Sequence, residues 1–322
     1  MSEYAVRRLL LLVPTLVLGS MALFFALRLL PPRDAVDLAV GEAAAQNPHA
    51  ADQLRAELGI KGNLLRQYVD WAAGFITGRW GKSLHTRRPI TGELIRRIPV
   101  SFELSFIGLL FTWLFSFPLG ILSAVYQDRF PDYVLRTAAY ALDAIPSFIV
   151  GILLLVYLAV YLNWAPPTTY TYLWDNPVRH VQIMILPTIV VGASTVGALI
   201  RFTRTFLLEV LRQDYMRTAR AKGLRERTVL TRHALRNLAL PLVTIAGAAV
   251  PTLLTSSVII ESLFSLPGMG RYLVTAAGNL DYPVVMTTTM LFGVIILVTQ
   301  LITDLSYAWI DPRVSYTSGT RR

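Results

Sequence analysis

Apolar residues in this chain gather into long runs separated by polar stretches. A helix rises about 1.5 Å per residue, so crossing a hydrocarbon core of roughly 30 Å takes about 20 mostly apolar residues. Six runs qualify, at residues 9–27, 99–126, 133–162, 181–200, 238–260 and 284–302. Pro14, Pro118, Pro146, Pro187 and Pro251 interrupt them, which membrane helices tolerate where neighbours or cavity water satisfy the freed carbonyls. The first run is longer than the roughly 7 to 15 apolar residues of a signal peptide, and the small residues at 43–45 lie too far downstream for cleavage, so it reads as a retained span. Between the first two runs, Leu64, Leu65, Tyr68, Trp71, Ala72 and Phe75 recur at helical spacing, and residues 52–58 form another short amphipathic piece. Between the fourth and fifth runs, a helical pattern breaks at Gly223. The pattern predicts an all-α polytopic membrane protein with six transmembrane helices. Its parts are an N-terminal span (1–30), an amphipathic segment (31–98), a core (99–310) containing the polar loop 202–237, and a tail (311–322).

Composition supports the membrane class. Of 322 residues, 54% are hydrophobic and 16% charged, against about 25% charged in soluble domains. With no cysteine, a disulfide scaffold and thiolate-held zinc or iron–sulfur sites are excluded. The net charge of +10 suggests nucleic acid until the charges are placed. With the amino terminus inside, seventeen Lys and Arg fall on the cytoplasmic side, ten of them from Arg201 to Arg236, while the short outer loops hold only Arg179 and Arg271. That asymmetry puts both termini in the cytoplasm, the 31–98 segment outside, and leaves no case for nucleic acid. Eleven further basic residues, from Arg28 to Arg97, share their segment with seven acids; it exceeds about 60 residues, a length whose translocation is largely insensitive to charge.

Catalytic signatures are not found. His49, His85, His180 and His233 are scattered over different loops without metal-ligand spacing. Gly81-Lys82-Ser83 ends like a phosphate-binding loop, yet Ile76 stands where that motif needs glycine. No G-x-S-x-G elbow is present. Asp143 is the notable intramembrane charge, because a carboxylate at the bilayer centre costs at least about 2.5 to 3.5 kcal/mol. It either faces a water-filled path or pairs with a polar group on a neighbouring helix, and the two readings stand level. Ser147, Phe148, Ser256 and Ser257 join it as candidate pathway residues, whereas Glu103, Glu261 and Asp304 sit near span ends and read as structural.

The loop sequence Asp214-Tyr215-Met216-Arg217-Thr218-Ala219-Arg220-Ala221-Lys222-Gly223-Leu224, continued by His233-Ala234-Leu235-Arg236-Asn237, resembles that of permease subunits of binding-protein-dependent ABC importers. The form typical of their dipeptide/oligopeptide/nickel branch is D-Y-V/I-R-T-A-R-A-K-G-L. Against the general hallmark E-A-A-x-x-x-G, Gly223 and Ala219 match while Arg217 and Thr218 depart, and Arg236 replaces a later proline. Ordered matches continue over most of the chain, among them the 54–59 segment, Trp80-Gly81-Lys82-Ser83-Leu84, Pro146-Ser147-Phe148, Asp281-Tyr282-Pro283 and Asp311-Pro312-Arg313.

The resemblance implies a type I ABC importer permease fold in a bacterial or archaeal cytoplasmic membrane, a transport subunit without an ATPase site of its own. It implies a second homologous permease, two ATPase subunits that bind ATP and Mg, and an extracytoplasmic substrate-binding protein, with di- or oligopeptides as the first choice of cargo and glutathione, a nickel complex or an oligosaccharide left open. It places a coupling helix on Tyr215, Arg217, Ala219, Ala221, Lys222 and Leu224, turning at Gly223. Small residues at 219 and 221 would let the ATPase surface approach closely. The alternative is a secondary transporter driven by an ion gradient through Asp143, but the two halves of the chain show none of the similarity such proteins commonly carry.

Overall fold

Apolar runs become helices because a segment surrounded by hydrocarbon must satisfy its backbone groups internally. A computed structural model describes residues 2–29, 49 and 63–310, and its regular elements are helices apart from one isolated bridge between Lys82 and Pro89. The expected amphipathic piece at 52–58, the family-like segments at 54–59 and 311–313, and the tail 311–322 lie outside the described residues. In chain order the helices are α1 (Ser2–Leu29), α2 (Leu64–Ile76), α3 (Ile90–Val125), α4 (Phe130–Ala144), α5 (Ser147–Leu162), α6 (Pro177–Leu211) and α7 (Asp214–Ala221). After a short turn, Glu226–Thr228, and a π-helical stretch, Val229–Ala234, follow α8 (Leu235–Leu263), α9 (Met269–Gly278) and α10 (Tyr282–Ile310).

Stretches long and apolar enough to cross a membrane occur in α1, α3, α6, α8 and α10. The third expected span departs from the sequence reading. It consists of α4 and α5, which qualify only as a pair and are bent by 99°. Ile145 has extended backbone, as a residue preceding proline does, and Pro146 has no N–H to continue the α4 ladder. The helix therefore stops after Ala144 and restarts at Ser147. Pro14, Pro187 and Pro251 remain inside their helices.

Contacts group the described residues into two compact units, one of residues 2–4, 101–266 and 299–310, the other of 5–29, 49, 63–100 and 267–298. In the larger, α6 is central: 72% of its apolar stretch is buried, and it packs against α4, α5 and α8. Close approach depends on absent side chains. A Cβ on Gly192 would fall 2.6 Å from the Phe111 ring, and one on Gly197 would strike the Ala139 carbonyl oxygen of α4. Beside Gly192, the Thr112 hydroxyl of α3 lies 3.0 Å from the Gly192 carbonyl oxygen and 3.1 Å from the Thr195 hydroxyl.

In the smaller unit, the helix expected from the Leu64 to Phe75 periodicity forms and lays its aromatic face on α1. Phe24, fully buried, meets Tyr68 edge-on at 5.6 Å, and the Ser20 hydroxyl lies 2.8 Å from the Tyr68 hydroxyl. The Gly81-Lys82-Ser83 segment holds an acid and not a phosphate. Ser83 donates to Asp281 Oδ2 at 2.5 Å, and the Leu84 N–H donates to Asp281 Oδ1 at 3.1 Å. Tyr272 lies under the Arg97 guanidinium at 4.5 Å, and burial together with Asp281 and Glu93 pushes its phenol up to about 12.

Overpacking a close contact typically costs about 1–3 kcal/mol. Gly197→Val is expected to lower the melting temperature of the purified chain in detergent by several degrees. Gly293→Ala, whose Cβ would meet nothing within 4 Å, should leave it unchanged or slightly raised, as measured by differential scanning fluorimetry.

Candidate functional site

The elbow joining α6 to α8 stands on a buried ionic fastening. The Asp132 carboxylate is fully buried and accepts from the Ser123 hydroxyl of α3 at 2.5 Å, from the Asp128 N–H at 3.0 Å, and from Arg204 of α6. The guanidinium binds it with both arms, Nε to Oδ1 and Nη2 to Oδ2, each at 2.7 Å. Fork geometry of this kind is the strongest form of charge-assisted hydrogen bond. Immediately beyond, Ala124 of α3 and Leu207 of α6 join Met216, Ala219, Val229, Ala234 and Leu238 in one apolar core. The elbow is thus packed onto the bundle and is not a solvated loop.

Within it, α6 ends at Leu211 and Gln213 takes extended backbone before α7 begins. Met216 and Ala219, three positions apart, point into the core with exposures of 0% and 6%. Ala219 is therefore buried in the chain's own core and does not lie on the part of α7 that solvent reaches. Tyr215, Arg217 and Ala221 of α7, with Lys222 and Leu224 just beyond its end, are exposed to solvent. Lys222 caps α7, and Gly223 follows at φ +74°, a left-handed conformation that costs other L-residues about 1–2 kcal/mol. Two contacts hold the turn. Arg220 grips Glu226 with both arms, at 2.8 and 3.2 Å, which holds the Glu226 carboxyl below the usual carboxylate range. Asn237 donates to the Tyr215 hydroxyl at 3.1 Å, tying α7 to α8.

The candidate pathway residues stand on three helices, α4, α5 and α8. Asp143 lies at the end of α4 and forms an ion pair with Arg201 of α6, whose guanidinium sits 4.9 Å from the Tyr140 ring centre. Its side chain is 25% exposed. The pairing reading thus describes this conformation. Ser147 and Phe148 open α5 just after the break. Ser256 is partly exposed, while Ser257 is fully buried and donates to the Leu254 carbonyl at 2.8 Å within its own helix.

Two interactions were not foreseen. His180 is a buried residue of α6 and not a loop residue, with Nε2 2.7 Å from Glu103 Oε1 and Nδ1 2.8 Å from the Thr171 carbonyl oxygen. Glu103, read from the sequence as structural, is held there, and Tyr170 donates to its other oxygen at 3.3 Å. The Asp132 fastening is the other. An acid following Arg129-Phe130-Pro131 reads as a helix-start residue, and nothing near it in sequence points to Arg204.

Comparison with known proteins agrees with this geometry. Residues 116–316 match the model of the binding-protein-dependent transport system inner membrane component, and residues 1–105 match that of the N-terminal region of such membrane components. The glutathione transport system permease protein GsiC of Escherichia coli (strain K12) is 35% identical over 316 residues, covering 98% of this chain and 100% of that protein. GsiC of Pectobacterium atrosepticum has the same identity and coverage. Among solved structures, the inward-facing MetNI methionine ABC transporter has a TM-score of 0.55 at 16% identity, covering 70% of this chain and 99% of the matched chain, a likeness of fold.

Breaking a buried ion pair by removing one charge costs about 3–5 kcal/mol, because the other charge is left uncompensated. Asp132→Asn is expected to destabilise the detergent-solubilised chain strongly and expose the elbow to limited proteolysis. Asp143→Asn, at a partly exposed pair, should cost much less; thermal melts of the two variants provide the check.

Proposed function

Because this chain belongs to the inner membrane components of binding-protein-dependent transport systems, we propose that it forms a translocation pathway for short peptides with a second permease and is driven through its α7 elbow. It is an ABC importer permease with the type I fold, a multi-pass inner membrane protein and a transport subunit without an enzymatic role of its own. The finer reading gives it two ATPase partners that bind ATP and Mg, and an extracytoplasmic binding protein that delivers the cargo. The dipeptide/oligopeptide branch of the family and the glutathione permeases among its relatives support a small peptide, glutathione included, as that cargo. The charge asymmetry of seventeen to two supports cytoplasmic termini and a cytoplasmic elbow.

The observation that carries the coupling role is the two-faced α7. Its inner face is locked to α3, α6 and α8 through Met216 and Ala219, so a load on its outer face is borne by the bundle. That outer face offers an aromatic ring at Tyr215, cations at Arg217 and Lys222, and an apolar tip at Leu224, which together suit a groove with acidic or carbonyl-rich walls. An ion-gradient mechanism through Asp143 is not favoured, since that carboxylate already has Arg201 as its partner.

Gly223→Glu places a side chain where no atom lies within 4 Å, so its effect comes from backbone strain and from an added negative charge at the turn. The variant is expected to reach the membrane at normal abundance but to lose co-purifying ATPase subunits and ATP-dependent peptide uptake. Gly223→Asn, which tolerates the left-handed conformation, should retain both. Full ATPase association and uptake by the glutamate variant would refute the coupling assignment. Uptake by the chain alone, driven by an ion gradient without ATP, would refute the transport mechanism.

A further inference from the structure

We propose that the cleft between the elbow and the ends of α3 and α6 is a binding site for an anionic phospholipid. The cleft encloses about 580 Å³. Its apolar side is built from Ala124, Val125, Leu208, Leu211 and Leu230, and its polar rim from Gln127, Arg212, Arg220, Glu226 and Arg227. Arg220 and Glu226 neutralise one another across the turn. Arg212 and Arg227 have no ion pair with a carboxylate among the described residues, so the rim carries two uncompensated cations.

Depth and shape select a lipid over a free anion. Val125 and Leu211 are the last residues of two apolar helices, so the cleft floor lies where hydrocarbon ends and the arginines lie where headgroups begin. From the cleft an exposed apolar stripe climbs α3 through Leu122, Pro118, Leu114, Leu110 and Phe106, at four-residue spacing on one helix face. An acyl chain laid on that stripe puts its phosphate against the guanidinium groups of Arg212 and Arg227, which suit a phosphate both by charge and by their forked donors. A soluble phosphate would use the rim and leave the stripe empty. The site does not depend on which protein the elbow docks.

The test is native mass spectrometry of the full chain in detergent, titrated with phosphatidylglycerol, phosphatidylcholine or glycerol phosphate. Phosphatidylglycerol should be retained about 25-fold more than phosphatidylcholine, from roughly fivefold for each of the two arginines near a phosphate layer. Arg212→Gln combined with Arg227→Gln should bring the two lipids to parity. Glu226→Gln, which removes the only carboxylate of the rim and frees Arg220, should raise phosphatidylglycerol retention above that of the unaltered chain. If the double variant does not fold, Glu226→Gln carries the test alone, since its side chain is 64% exposed. Equal retention of the two lipids by the unaltered chain would overturn the proposal. So would glycerol phosphate binding as tightly as the lipid, which would assign a soluble anion, or an unchanged or weaker response in Glu226→Gln.

Discussion

The carboxylate of Asp132 is the constraint on which the elbow end of the bundle depends. Taking it out of water costs several kcal/mol, and only a complete set of donors offsets that. The donors come from three places in the chain: Ser123 on α3, the Asp128 backbone in the connecting turn, and Arg204 on α6. Any arrangement that separates these elements strands a buried charge, so their geometry is narrowly held. Ala124 and Leu207, next to Ser123 and Arg204 in the chain, form the bed on which Met216 and Ala219 of the elbow rest. The elbow inherits its position from an ion pair that it does not itself contain.

Polar contacts recur along the whole of α6. Near its start His180 meets Glu103, at its middle Gly192 and Thr195 meet Thr112, and further on Arg201 meets Asp143 and Arg204 meets Asp132. Two of these bind α3 and two bind α4. In an apolar surrounding, where hydrophobic burial gives helices little reason to prefer one another, such contacts and the close approaches at Gly192 and Gly197 supply the specificity. They also make α3, α4 and α6 one mechanical body. A displacement imposed on the elbow cannot leave these contacts intact unless the three helices move together.

The break at Pro146 shows how a local rule and a global one divide the work. A proline inside an apolar run is read equally well as a kink or a stop, and Pro187 and Pro251 remain within continuous helices. At Pro146 the chain turns through 99° instead. That turn leaves Asp143 at the very end of α4, beside Arg201. The placement decided between the two readings of its charge in this conformation, a choice that no count of residues into a span could make.

From the sequence alone came the helical class, the places of five of the six spans, whose helices mostly run beyond the expected ends, the amphipathic α2 and the helix–glycine–helix form of the elbow. These follow from hydrophobic periodicity, proline and glycine, each of which acts over a turn or two of chain. The loop motif also carried the family. Tertiary structure decided which face of α7 is buried, turning Ala219 inward, and which charges meet. Glu103 and His180 are 77 residues apart and Asp132 and Arg204 are 72 apart. Their pairing is set by how helices pack side by side, and local sequence holds no measure of that distance. A buried charge needs a partner wherever one can be brought, so the sequence announces the need, and only the packed bundle names the residue that meets it.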